Sequence, residues 1–209
     1  MDHDGPLVTV TLDGAQPPLL MGALRAVGRD LAGDVRIVVI RCPATPLVIQ
    51  DDDAPGDPLG WLGRPDLLSI AVLTGPVHGP ALHLTLACDL RVAASDTSWS
   101  TADAAGTLSF GGIGALTRLL GPARALELAV TGREFAAAEV AALALVAPVA
   151  DLERRVRDLV ETILARPRDD VIAIKALARS AGSRTPEAQC EAERSAQATR
   201  LRDPADTEE

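Results

Sequence analysis

Residues 35–41 (VRIVVIR) constrain this chain more than any other stretch. Five of the seven are β-branched: Val35, Ile37, Val38, Val39 and Ile40. Such density predicts a strand buried on both faces, as in a parallel sheet covered by helices. Upstream, residues 8–12 alternate β-branched side chains and run into a turn at Asp13 and Gly14. Pro17 and Pro18 then open a segment in which Leu20, Leu24, Val27 and Leu31 recur at helical spacing, and Gly33 with Asp34 stops it. Strand, helix and strand make a βαβ unit, hence an α/β fold with a parallel sheet and right-handed crossovers.

Residues 42–66 carry Pro43, Pro46, Pro55, Pro58 and Pro65 and the acidic triplet Asp51, Asp52, Asp53, and read as a surface loop. Adjacent carboxylates can hold a hard cation, but without spaced ligands they are ordinarily just solvated, so no metal is assigned. Residues 67–73 predict a third buried strand and residues 90–94 a fourth. Between them a glycine turn at Gly75 leads to an apolar helical segment with Pro80 at its head and His83 inside it. A Gly-rich loop precedes an amphipathic helix ending at Gly121. From Pro122 the chain reads as helical, with Ala125, Leu126, Leu128 and Ala129 facing inward. A turn at Thr131, Gly132 and Arg133 leads to a further helix through Leu145. Asp151 is placed to cap a helix carrying Val156, Leu159, Val160 and Ile163 on one face. Residues 169–181 and 186–200 predict two more helices before an acidic tail at 203–209. The expected organisation is a core over residues 1–150 and a helical region over 151–209, in a single structural unit.

Hydrophobic residues at 47% exclude a disordered chain. Aromatics at 2% leave little capacity to stack bases, and a net charge of −9 repels a phosphate backbone, so no nucleic-acid partner is expected. No apolar run approaches the ~20 residues of a membrane span, and residues 1–20 carry acids rather than a signal pattern, so no membrane partner is expected. Cys42 and Cys88 lie in apolar runs, as buried free thiols do, which points to a reducing, cytoplasmic compartment. Arginine supplies almost all the basic charge, Lys175 being the one lysine.

Residues 84–93, LTLACDLRVA, resemble the crotonase (enoyl-CoA hydratase/isomerase) superfamily, whose members typically read GGG-x-E-L-A-L-A-C-D-L-R-I-A here. Residues 116–128 (LTRLLGPARALEL) with 131–133 (TGR) are a second match, and residues 137–146 resemble the family's A-x-E-A-x-x-x-G-L-V. The resemblance is dense over residues 68–150 and looser over 7–200. It implies a crotonase-like spiral of repeated ββα units with a C-terminal helical trimerisation region. It also implies an acyl-CoA or carrier-protein thioester as substrate, with no cofactor. Two backbone N–H groups would stabilise an enolate, and acid–base side chains would move a proton on the acyl chain.

Carried over from the Cys88–Asp89 match, the family's three glycines fall on Gly79, Pro80 and Ala81. The middle one ordinarily donates an oxyanion N–H, and Pro80 has none. Proline also suits a helix's first turn, so its presence has a structural reading too. The first family glutamate falls on His83, a side chain able to act as a base near neutral pH, though a lone histidine on an apolar helix is more often a core residue. The second falls on Asp103, about 1.5 Å shorter in reach and in a loop two residues shorter than the family's, or else a plain solvated aspartate. The other oxyanion position falls on Asp51, whose N–H would be the remaining donor. The implied pocket includes Ile49, Gln50, His78, Gly79, Ala81, Trp99, Phe110 and Gly111. Many members add a last, Lys-rich helix that has no counterpart near Asp206.

Two readings follow. One is a crotonase-type hydratase or isomerase, a lyase or isomerase working through an enolate, in secondary metabolism, assembled as a homotrimer or hexamer. The other is a catalytically impaired accessory subunit that forms a hetero-oligomer with another crotonase-type protein. Pro80, His83, the acidic loop and the short tail favour the second.

Overall fold

The computed structural model describes residues 1–12, 20–42, 59–102, 112–140 and 144–202. The chain divides into two units, Met1–Arg157 and Asp158–Glu209.

The first unit is built on a six-stranded sheet. Its strands are β1 (Asp2–Asp4), β2 (Leu7–Thr11), β3 (Ile37–Cys42), β4 (Leu68–Leu73), β6 (Leu90–Ala94) and β9 (Leu145–Ala147), adjacent in that order. β1 pairs antiparallel with β2, and every other pairing is parallel. The expected βαβ unit is present: helix α1 (Leu20–Asp30) connects β2 to β3. Pro17 and Pro18, which were expected to open it, lie outside the described residues. Ile37, Val38, Val39 and Ile40 are each at most 2% exposed, because β3 has a strand on either side and side chains covering both faces. Full burial of such a side chain contributes about 1.5–3 kcal/mol.

A second sheet runs β5 (Pro76–His78), β7 (Ser98–Ser100), β8 (Phe135–Ala136). It produces the spiral. From β4 the chain turns a corner at Gly75 (φ 63°), adds β5 to the second sheet, then forms helix α2 (Gly79–Ala87). It returns as β6 beside β4 and turns a second corner into β7 beside β5. Both sheets therefore gain one strand per turn. The corners are stacked: the Thr97 hydroxyl donates to the Leu73 carbonyl at 3.3 Å and the Ser98 amide to the Gly75 carbonyl at 3.4 Å. The positive φ at Gly75 is open to glycine at little steric cost.

Helices α3 (Gly112–Leu120) and α4 (Pro122–Thr131) complete the next turn. α4 begins with Pro122 in its first turn and ends at left-handed Gly132, whose amide donates to the Leu128 carbonyl. Two sequence expectations need correction here. Ala125 and Leu128 are buried, but Leu126 is 61% exposed, since it lies roughly a hundred degrees around the helix from Ala125. Residues 137–140 form a short 3-10 turn, and Leu145 opens strand β9 rather than closing a helix, because β6 offers it an unpaired edge. Finally, a 3-10 turn over Val149–Asp151 leads into helix α5 (Leu152–Leu164), and the Asp151 carboxylate accepts from the Arg154 guanidinium at 2.9 Å. Glu153 of α5 takes a two-pronged bond from Arg41 at the end of β3.

In the second unit, α6 (Arg168–Ser180) and α7 (Pro186–Arg202) follow α5. Among its described residues only Val160 and Lys175 are buried. An ion pair joins Arg200 to Asp170.

Candidate active site

Helix α2 is apolar on all sides, and Ala81, Leu82, His83, Leu84, Thr85 and Leu86 are all buried. A helix apolar all round has to run through the core. His78 is its N-cap in extended conformation, and Pro80 is its second residue. A helix leaves its first four N–H groups without intrahelical partners, so proline there breaks no helical bond. The same substitution removes an outward-facing donor from the helix's amino end.

The other end of α2 is held by the ACDLR run. Ser69 of β4, fully buried, donates from both its amide and its hydroxyl to Asp89 Oδ2 at 2.9 Å. Its hydroxyl oxygen in turn accepts the Asp89 amide at 2.9 Å. Arg91 donates to the carbonyls of Thr85 (3.1 Å) and Cys88 (2.8 Å), neutralising the carboxyl end of α2. Burial draws the Arg91 pKa down. These two charged side chains fasten α2 to the sheet.

His83 is 3% exposed and projects toward the first residue of α3. A Cβ on Gly112 would fall 2.6 Å from its Cδ2 and 2.9 Å from its Nε2, so the imidazole edge occupies the space a side chain at 112 would need. α2 and the amino end of α3 thus meet at His83.

Asp103, Phe110 and Gly111, between β7 and α3, lie outside the described residues, as do Ile49, Gln50 and Asp51. The flanks of the first segment are nevertheless fixed. The Ser100 hydroxyl donates to the Gly132 carbonyl and the Thr101 hydroxyl to the Leu128 carbonyl, both at 2.8 Å, which ties Ala102 to the end of α4. Gly112, at the other flank, rests on His83.

Of the remaining expected pocket residues, Ala81 is 4% exposed and Trp99 1%, the latter with its ring tilted against Phe135 at a centroid distance of 6.1 Å. His78 is half-buried, and its Nε2 faces Glu134 Oε1 at 3.4 Å. Glu134 was not singled out by sequence, because only the second sheet carries it to His78 from 56 positions away in the chain. Among the described residues no three His, Cys, Asp or Glu side chains gather as a metal site. Cys42 and Cys88 are buried free thiols; burial pushes the first up to about 12 and the second higher still.

The enoyl-CoA hydratase/isomerase family model matches residues 62–206, which include α2, all three motif regions and all the helices that follow. The chain belongs to that family. A Thermobifida fusca YX protein assigned as an enoyl-CoA hydratase, solved with acetoacetyl-CoA, is 29% identical with a TM-score of 0.86, over 97% of this chain and 94% of that one. The same protein solved with CoA aligns at 30% identity and TM-score 0.86, over 98% and 93%. EchA17 of Mycobacterium tuberculosis, assigned as an enoyl-CoA hydratase, is 40% identical over 80 residues, which is 37% of this chain and 31% of that relative. The match thus spans about a third of the curated relative's length.

The fold is the crotonase fold, and the family's motif residues have visible work in it. Beyond Asp89 and Arg91, four more form one network. Arg133 donates to Glu127 (2.8 Å) and Glu139 (3.1 Å), and Arg124 to Glu127 (3.0 Å) and Glu139 (3.4 Å). Glu139 also accepts the Ala136 amide at 3.0 Å. Bonding to Arg133 lowers the Glu127 pKa, and the Ala136 amide together with Arg133 lowers that of Glu139. Second and third motif regions are therefore clamped together around the end of α4.

Proposed function

We propose that this chain is a crotonase-type enzyme acting on an acyl thioester through an enolate, with His83 as the acid–base group. The observation that carries the reading is the seat of His83. It occupies the family's first glutamate position, buried on α2 one turn beyond Pro80 and against the amino end of α3. In this reading His83 removes a proton from the acyl α-carbon, and the electron pair passes to the thioester oxygen. The enolate collapses as the proton is returned to the α-carbon or, when the acyl chain carries a conjugated double bond, as Asp103 delivers one to the γ-carbon. The N–H of Asp51 stabilises the oxyanion; the Pro80 position contributes none. Loss of one such donor costs about 2.7–4 kcal/mol of transition-state stabilisation, so a slow enzyme is expected.

The substrate is an acyl-CoA or a carrier-protein thioester of secondary metabolism, handled in the cytoplasm without a cofactor. Structures of the Thermobifida relative with acetoacetyl-CoA and CoA support the CoA form. The core over residues 1–150 would bear the site and the helices of 151–209 the assembly contacts. A homotrimer or hexamer is the assembly that the family resemblance implies.

A second reading, an impaired accessory subunit paired with another crotonase-type protein, is favoured by one observation: Pro80 stands where an oxyanion donor belongs, in a first turn that gives it a purely structural use. The test is loss of the α-proton signal of butyryl-CoA in deuterated buffer, with His83→Ala and Asp103→Ala as comparisons. Binding, with exchange abolished in either variant, supports the enzyme. No binding and no exchange, with a crotonase-type protein co-purifying from the native host, overturns it in favour of the subunit.

A further inference from the structure

We propose that Gly112 is a positioning residue for the His83 imidazole, its missing side chain forming the seat into which the ring fits. The inference rests on the acid–base reading of His83. Gly112 is the first residue of α3 and is buried. Its conformation does not demand glycine, since the positive-φ glycines of the chain are Gly5, Gly75, Gly121 and Gly132 among the described residues. What demands it is space. A Cβ there would lie 2.6 Å from His83 Cδ2, 2.9 Å from Nε2 and 3.4 Å from Cγ, where ordinary contact begins at 3.4 Å. The ring is a rigid plane on a buried helix, whose neighbouring residues Leu82 and Leu84 are 1% and 0% exposed. It has no flexible end to bend aside, so the ring or the start of α3 must give by about 0.8 Å, the difference between 2.6 and 3.4 Å. A displacement of that size at a reacting group is worth on the order of 10²-fold in rate.

The geometry also fixes which edge of the ring is committed. Cδ2 and Nε2 lie along α3, so Nδ1 is on the far side of the ring from Gly112. Gly112 has no side chain to offer a reacting atom and acts through His83 alone. Its effect should therefore fall on turnover and leave substrate binding nearly unchanged.

The test compares wild type, Gly112→Ala, His83→Ala and the double variant. The chain has three histidines, so the ring signals of a histidine-labelled sample can be assigned by the one that His83→Ala removes. Gly112→Ala is expected to move the His83 signal and leave those of His3 and His78 in place. It should lower kcat for butyryl-CoA exchange about 10²-fold with KM nearly constant. In the double variant the added methyl occupies the space the ring has left. It should melt close to His83→Ala and lose no further activity. A His83 signal unmoved by Gly112→Ala overturns the proposal. So does a melting penalty as large without the ring as with it. If Gly112→Ala fails to fold, a folded double variant supports the proposal and an unfolded one overturns it. His83→Ala with wild-type exchange refutes the acid–base reading on its own, while the ring signal and the melts still decide the seat.

Discussion

Replacing Pro80 with glycine returns a backbone N–H to the second residue of α2. Nothing inside the helix competes for that hydrogen, because an amide in the first turn has no carbonyl four residues back within the helix. The restored donor is free for a thioester oxyanion. If it is the missing half of the oxyanion hole, transition-state stabilisation rises by about 2.7–4 kcal/mol, or roughly 10²–10³-fold in exchange rate. The folding penalty is smaller: losing proline's restriction of the unfolded chain costs about 0.4–1 kcal/mol, or roughly 1–4 °C in Tm. Pro80→Ala separates the two effects, since it restores the same donor without glycine's extra backbone freedom. The assay is α-proton exchange of butyryl-CoA in deuterated buffer, beside thermal melts of each variant. A rise in both variants, with Pro80→Ala the more stable, is the expected result. Unchanged exchange in two well-folded variants would refute the idea that Pro80 stands in place of a donor.

Asp89→Ala strips the acceptor from the buried amide and hydroxyl of Ser69; at about 1–3 kcal/mol each, Tm should fall by roughly 4–24 °C, and Asp89→Asn by less. Gly28→Ala would set a methyl 2.4 Å from Cγ of Trp61, so a loss of about 1–3 kcal/mol is expected in urea titrations followed by tryptophan fluorescence. Glu127 and Glu139 have pKa values held below their unfolded ones, so their contribution is complete above the ordinary carboxylate pKa of about 4.3. It disappears as the pH falls through the folded values. Stability measured from pH 6 down to 3 should therefore decline less steeply in Glu127→Gln and Glu139→Gln than in wild type.

Element types were largely legible because period and β-branching are local. VRIVVIR could only be a doubly covered strand, and the apolar face of residues 20–31 could only be a helix. Leu145 was misread because an alanine-rich run has no period of its own. Only the free edge of β6 makes it a strand. Leu126 was misassigned because helix type does not say which arc meets the core. In the candidate site, the register from Cys88 located Pro80 and His83 on one helix. Glu134 beside His78 was invisible, because β5 and the residue just before β8 are far apart in the chain.

By itself the sequence determined the family, the parallel sheet and the removal of a hydrogen-bond donor at Pro80. These are properties of residue type, and no packing can give a proline an N–H. The tertiary structure alone decided that Asp89 is bound to Ser69 of β4 and that Gly112 receives the ring of His83. Each of these joins segments well apart in the chain, Ser69 to Asp89 and His83 to Gly112, whose separation carries no record of their closeness in space. Only the spiral, stacking one turn on the next, brings them together.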